Sequence, residues 1–399
     1  MDNRFLTVTV LTLTLVAPVS HAVQNLSVSG SIGFENRFFP DRPLFLGQLQ
    51  GSQTSVVSET EFSWESENGS QQLGLTPFFR IDNEDRERTH FDIREAYWRF
   101  LGDEFEFTAG VDRVFWGVTE SSHLVNIINQ VDGVENVDQE DYLGQPMLAS
   151  AWQKDYGRFE AFILPFFRER TFAGVDGRLR APLVVDTSDP VYESGREDRR
   201  LDIALRYSHY FGNWDVGLSL FHGTSREPRL LPSADGSTLI PHYDVINQFG
   251  IDIQYTGEAW LWKLEAIARE GQGDTFGAMV GGFEYSFYQV FDSDKDVGIL
   301  MEYLYDDRDD SAPLNVFQDD LFFGTRLAFN DAQDTALLAG AIVDLEDQTT
   351  SLRLEAERRL GQSWKIEIEA QILVNEDERN PVNGFASDDF LLLSLAKYF

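Results

Sequence analysis

Residues 351–374 read SLRLEAERRLGQSWKIEIEAQILV, and their alternation decides the fold. Before the Gly361-Gln362-Ser363 turn, Leu352, Leu354, Ala356 and Leu360 share one parity, interrupted by Arg358; Arg353, Glu355, Glu357 and Arg359 share the other. After it, Trp364, Ile366, Ile368, Ala370, Ile372 and Val374 alternate with Lys365, Glu367, Glu369 and Gln371. Successive side chains of a strand point to opposite faces, so the stretch predicts a β-hairpin with one apolar and one charged face. A soluble sheet can be built the same way. Recurrence of the pattern along the chain separates the two readings.

The pattern does recur. In 26–37, Leu26, Val28, Ile32 and Phe34 oppose Ser27, Ser31, Glu35 and Arg37; in 72–82, Leu73, Leu75, Phe79 and Ile81 oppose Gln72, Thr76, Arg80 and Asp82. Trp260, Trp262, Leu264 and Ala266 oppose Lys263, Glu265 and Arg269. Similar segments near 54–65, 89–101, 105–116, 147–155, 159–168, 201–208, 214–220, 249–256, 277–289, 297–306, 320–329, 336–345 and 390–399 bring the total to about 18, an even number that leaves both chain ends on one side of a barrel. Tight connections such as 65–69, 102–104, 212–213 and 361–363 alternate with longer, often acidic ones. That phase agreement suits a membrane barrel, and a sandwich has no reason to show it. The predicted fold class is therefore all-β, a transmembrane antiparallel up-and-down barrel occupying 23–399 as one domain, with no plug domain before the first strand. Two blemishes remain. Arg113 falls on the apolar parity of 105–116, which predicts a bulge, and Pro77 and Pro165 fall inside predicted strands, where each would remove a ladder hydrogen bond.

The first 22 residues, MDNRFLTVTVLTLTLVAPVSHA, have the form of a secretory signal, with Ser20 and Ala22 placed for cleavage before Val23. The apolar run is shorter than a membrane-spanning helix requires. The 399 residues hold no cysteine, so disulfides and thiolate chemistry are excluded. A formal charge of −35 argues against nucleic acid as a partner. Mean hydropathy is only −0.28, as a barrel permits when every second strand residue faces water.

The chain ends in FLLLSLAKYF, residues 390–399, with Leu391, Leu393, Leu395 and Phe399 on one parity. This resembles the C-terminal strand of Gram-negative outer-membrane barrels, although Lys397 stands where those carry an apolar or aromatic residue. From Val23 to Phe399 the overall pattern resembles the porin superfamily. Arg94–Phe100 (REAYWRF) and Val111–Gly117 (VDRVFWG) are also loosely similar to the alginate-export and carbohydrate-porin group. The resemblance implies an outer-membrane location among lipid and lipopolysaccharide, and passive passage of small polar solutes. It also implies that the assembly machinery reads the strand ending at Phe399. A soluble exported all-β binding protein and an outer-membrane barrel enzyme are the alternatives.

Two groups of residues are candidates for that passage. The charged face of the 351–374 hairpin (Arg353, Glu355, Glu357, Arg359, Lys365, Glu367, Glu369) is expected to line a pore, with opposite charges on adjacent strands pairing to brace the wall. In general porins the third external loop narrows the lumen. Here that loop is 117–146, whose Leu124, Val125, Ile127, Ile128, Val131 and Val134 suit a surface packed against something. Its pore-facing candidates are His123, Asn126, Asn129, Asp132 and Glu135. The loop is acidic and has no Lys or Arg, so mild cation preference is expected. Asp292, Asp294 and Asp296 imitate the start of an EF-hand, but Val297 and Tyr303 fill its sixth and twelfth positions, so no metal site is expected. No HExxH or GxSxG motif occurs, and neither an enzyme nor a cofactor is predicted.

Overall fold

The computed structural model describes residues 25–375, 377 and 380–399. The leader expected at 1–22, with its cleavage site before Val23, lies outside the described residues. Among these, 18 antiparallel strands follow one another around a closed barrel, from Leu26–Phe38 to Phe390–Tyr398. The first strand pairs with the last, Ser31 facing Tyr398 and Phe38 facing Leu391, so the sheet has no free edge. Every segment read from the alternation forms a strand, and most short turns lie at one end of the barrel with most of the longer loops at the other.

The blemishes have local causes. Thr76 faces Glu95 while Pro77 faces Ile93, so the register slips at Pro77 and Arg94 is the extra residue. A bulge is where a missing N–H is tolerated. The strand Gly157–Leu164 stops just before Pro165. The strand Phe105–Asp112 ends before Arg113, which turns inward to meet Glu95 at 3.2 Å and Glu59 at 3.4 Å.

The outer face carries the exposed apolar residues, among them Ile32, Leu205, Phe249 and Leu393. Near the short turns it becomes aromatic. Ring centroids are 4.6 Å apart for Trp260 and Tyr285, 4.8 Å for Trp214 and Tyr255, and 4.9 Å for Phe159 and Tyr207. Such rings suit a boundary where the body is apolar and the N–H or O–H tip is wet. Two of the cations that broke the apolar parity also lie at this end. Arg358 meets Asp331 at 3.0 Å, and the Lys397 ammonium sits 5.7 Å from the Trp364 ring centre. Long side chains here keep their charge in the polar zone while the stem covers apolar surface.

At the opposite mouth, loop 165–201 reaches across to loop 39–51 and to residues 380–389. Arg178 is fully buried there, 2.7 Å from the Asp388 carboxylate and stacked 4.7 Å from the Phe39 ring centre. Gly174 and Gly177 wrap the Asp85 carboxylate so closely that a Cβ on either would lie 2.6 or 2.5 Å from its oxygens. A small second sheet, Arg229–Pro232 with Leu239–Tyr243 and Val191–Tyr192, stands over the same mouth.

Candidate functional site in the lumen

The inner wall has two characters. On Gly157–Leu164, Ile163 faces out and Phe162 faces in; on the next strand, Asp202–Phe211, Ile203 and Leu205 face out and Ala204 faces in. With Phe221, Ile246 and Ile267 these make an apolar inner surface, which simple apolar-out, polar-in alternation would not supply. Loop 113–144 folds into the barrel and covers it. Val125, Ile127 and Ile128 are buried against that wall, and Trp116 meets Phe162 edge-on at 5.6 Å. Burial of this kind is the main term holding a loop inside a water-filled wall.

Hydrogen bonds then fix its path. The Glu265 carboxylate, fully buried, accepts from the Val118 N–H at 2.7 Å, the Thr119 N–H at 3.0 Å and hydroxyl at 2.7 Å, and the Val125 N–H at 3.2 Å. Glu302 accepts from the Glu120 and Ser121 N–H groups, both at 2.8 Å. The far part of the loop is held by arginines. Arg80 pairs with Glu135, Arg94 meets Asp132 at 2.6 Å, and Arg88 donates to the Val134 carbonyl at 3.0 Å. Beyond that, Asp138 meets Arg353 at 2.7 Å, and the Asn136 amide donates to Glu369 at 3.2 Å. The loop thus touches the 351–374 hairpin, and the two groups of candidates come together.

Each loop candidate has a definite place. His123 is half-buried, its ring 4.8 Å from that of Phe115, with Nδ1 4.0 Å from Glu265. The Asn126 carbonyl accepts from the Trp116 N–H at 3.3 Å. Asn129 is buried and stitches the loop to itself, accepting from the Val114 N–H at 2.8 Å and donating to the Asp112 and Leu143 carbonyls. Asp132 and Glu135 are buried against the arginines, behind the loop's solvent-facing side. Glu140 and Asp141 are the loop acids that stand open to solvent. Although open, they lie deep inside the barrel. That enclosure, with Asp138 beside Glu140 and Glu135 beside Asp141, pushes both carboxyls up to about 7.

On the hairpin, Glu355, Glu357 and Glu367 are partly open to the lumen. The expected pairing of opposite charges on adjacent strands occurs, but on the diagonal. Glu355 faces Glu369, Glu357 faces Glu367, and Arg359 faces Lys365, so each directly opposed pair is of like charge. Like charges opposite one another repel, and the side chains lean along the wall instead. Lys365 meets Glu357 at 2.7 Å and Glu367 at 2.6 Å; Arg353 meets Glu355 at 2.6 Å and Glu369 at 3.5 Å; Arg359 reaches Asp334 at 2.8 Å.

Among the described residues, His90, Asp132 and Glu135 are close enough together to suggest a metal site. Their donor atoms are already engaged. Asp132 accepts from His90, Arg94 and Thr171, and both Glu135 oxygens accept from Arg80. A cation would have to displace two guanidinium groups, so the cluster is an arginine-compensated fastener. Asp296 accepts from the Gln289 N–H at 2.8 Å and the Asn330 amide at 2.9 Å, which makes it part of a turn.

The alternation did not reveal Arg80, Arg94, Glu265 and Glu302 as holders of the loop. Their only signal was a charge on the inward parity of a strand.

No protein-family model and no curated protein matches the sequence. Among solved structures, a mutant of Rh. blastica porin overlaps 94% of this chain and 100% of its own at 12% identity and a TM-score of 0.46. A loop-deletion mutant of OmpT, an outer membrane protein of Vibrio cholerae, overlaps 94% of this chain and 99% of its own at 10% identity and a TM-score of 0.45.

Proposed function

We propose that this chain is an outer-membrane porin, a passive channel for small polar solutes with a mild preference for cations. The observation that carries the reading is a closed barrel, apolar outside, whose charged inner row faces a loop folded into the lumen and tied to both walls. A barrel of 18 strands is too wide for its own side chains to fill, so a loop crossing it sets the narrowest section. In that section Glu140 and Asp141 are open to solvent without an ion pair, and Glu355, Glu357 and Glu367 stay partly open while they share Arg353 and Lys365, three acids to two cations. A few side chains at a constriction decide which ion passes. The acidic outer loops, part of a formal charge of −35, add a field that gathers cations over about 8 Å at physiological salt. The seam where Phe399 and Gly30 exchange backbone hydrogen bonds, at 3.0 and 3.1 Å, belongs to the strand we expect the assembly machinery to read.

Planar-bilayer recording of the purified protein tests the reading. The reversal potential in a KCl gradient should report cation preference that weakens as salt rises, and anion preference would overturn it.

The preference should also depend on pH. Glu140 and Asp141, raised to about 7, are charged above that pH and take up protons below it. Cation preference should therefore fall as pH is lowered from about 8 to about 6, a range in which ordinary carboxylates stay ionised. A reversal potential flat across that range would show that neither group faces the ion path.

A further inference from the structure

One cavity lies between the inward loop and the loops of the barrel mouth. The inward loop contributes Glu120, Asp138 and Glu140 to its lining; Arg170 from loop 165–201, Arg269 and Arg308 also line it. Nearly all of its charges are already neutralised. Glu120 is 2.8 Å from Arg326, and Asp138 is 2.7 Å from Arg353. Arg269 and Arg308 share Glu227 at 3.0 and 2.9 Å, Arg308 also meets Asp306 at 2.6 Å, and Arg226 meets Asp202 at 2.9 Å. Two charges are left over. Among the described residues lining the cavity, only Glu140 and Arg170 are charged side chains without an ion pair, and they are not paired with each other.

Both are held at the backbone. The Arg170 N–H donates to the Tyr243 hydroxyl at 3.1 Å, and its guanidinium lies 5.9 Å from the Phe172 ring centre. The Glu140 N–H donates to the Asp138 carboxylate at 3.1 Å. Apolar surface from Leu124, Val131, Leu304 and Phe317 lines the same space.

Glu140 faces solvent and Arg170 is half-buried, so each keeps its capacity for a charge-assisted hydrogen bond with a solute that enters the cavity. A solute bearing one charge would satisfy one of these groups and leave the other as it was. A solute bearing both would satisfy both, the guanidinium gripping a carboxylate and the carboxylate accepting from an ammonium. The apolar lining would take its side chain. We infer that this cavity is a binding station for zwitterionic solutes of amino-acid or short-peptide size, with the solute carboxylate on Arg170 and its ammonium on Glu140. This deepens the channel reading and rests on it, since the solute must reach the lumen.

The probe is the dipeptide Ala-Leu, compared with its N-acetylated form, which lacks the ammonium, and its C-terminal amide, which lacks the carboxylate. Calorimetry on the full-length barrel in detergent at pH 8 should show the dipeptide binding at least about tenfold more tightly than either capped form. Arg170→Gln should close the gap between the dipeptide and its amide. Glu140→Gln should close the gap between the dipeptide and its acetylated form. Equal binding of the three probes, or none, overturns the inference, and the wild-type series decides this even if a variant does not fold. Single-channel recording on the same preparation keeps the two ideas apart. Ion conductance with no discrimination among the probes leaves the channel standing and removes the station; probe discrimination without conductance removes the channel and upholds the site.

Discussion

Glu265→Ala should free the inward loop and raise the single-channel conductance, with larger current noise. Its carboxylate is the common acceptor for three backbone N–H groups and one hydroxyl of residues 118–125. It is also fully buried, so no solvent stands ready to replace it. Leaving a buried donor unsatisfied costs about 1–3 kcal/mol. Several such donors in one segment should loosen residues 118–125, while the apolar contacts of Val125, Ile127 and Ile128 keep the rest of the loop near the wall. The barrel should still close, because its strands are joined by a ladder that does not use this side chain. Glu302→Ala removes the neighbouring acceptor for Glu120 and Ser121 and should add to the effect. Deleting 126–138 is a harsher version of the same test. It takes away Asp132 and Glu135 as well, leaving Arg80 with Glu35 and Arg94 with Asp92 as their remaining carboxylate partners, so the deletion should also lower stability. Bilayer recordings of the three variants at matched salt decide the matter. Conductance equal to the parent in all of them would show that the loop does not set the narrowest section.

The barrel was legible because a strand buried on one face writes its environment in a period of two, and nearly every strand here does so. Leu352, Leu354, Ile368 and Ile372 could be placed outward from their own neighbours alone, and their exposure agrees. Arg358 and Lys397 broke the pattern, yet they mark the ends of strands, where a long side chain reaches the polar zone. The site was less legible, because its contacts are not local. Nothing near Glu265 in sequence says that it will cap a loop from the opposite half of the chain. Phe162, Ala204 and Ile246 face inward because the loop covers them, so their environment depends on a segment elsewhere. The apolar residues of 124–134 did signal a packed loop, but not which wall would receive it. The charge pairing was legible in outline, but not which residues would meet. Knowing that Glu355 and Glu369 share a face does not say whether they stand opposite or diagonal; that depends on a register fixed by the turn at 361–363.

Ile368→Arg and Glu367→Arg are adjacent substitutions of the same size and should have opposite consequences. Ile368 faces outward near the middle of the strand Trp364–Val374, beside Ala356 on one neighbour and Leu393 on the other. An arginine there must place its charge in hydrocarbon, too far from either polar boundary to reach it without distortion. The expected cost is about 2–4 kcal/mol near the bilayer midplane. Glu367 faces the lumen, 2.6 Å from Lys365 and directly opposite Glu357. Replacing it removes one contact of Lys365 but also ends a like-charge opposition, and the new arginine stays in contact with solvent. That variant should refold as the parent does, while its reversal potential shifts towards anions because one acid has become a cation. Denaturant titration of refolding into lipid vesicles reads the first effect, and bilayer recording reads the second. Equal stability losses in the two variants would mean that the inner and outer faces of this strand have been assigned the wrong way round or that the wall does not border lipid at this height.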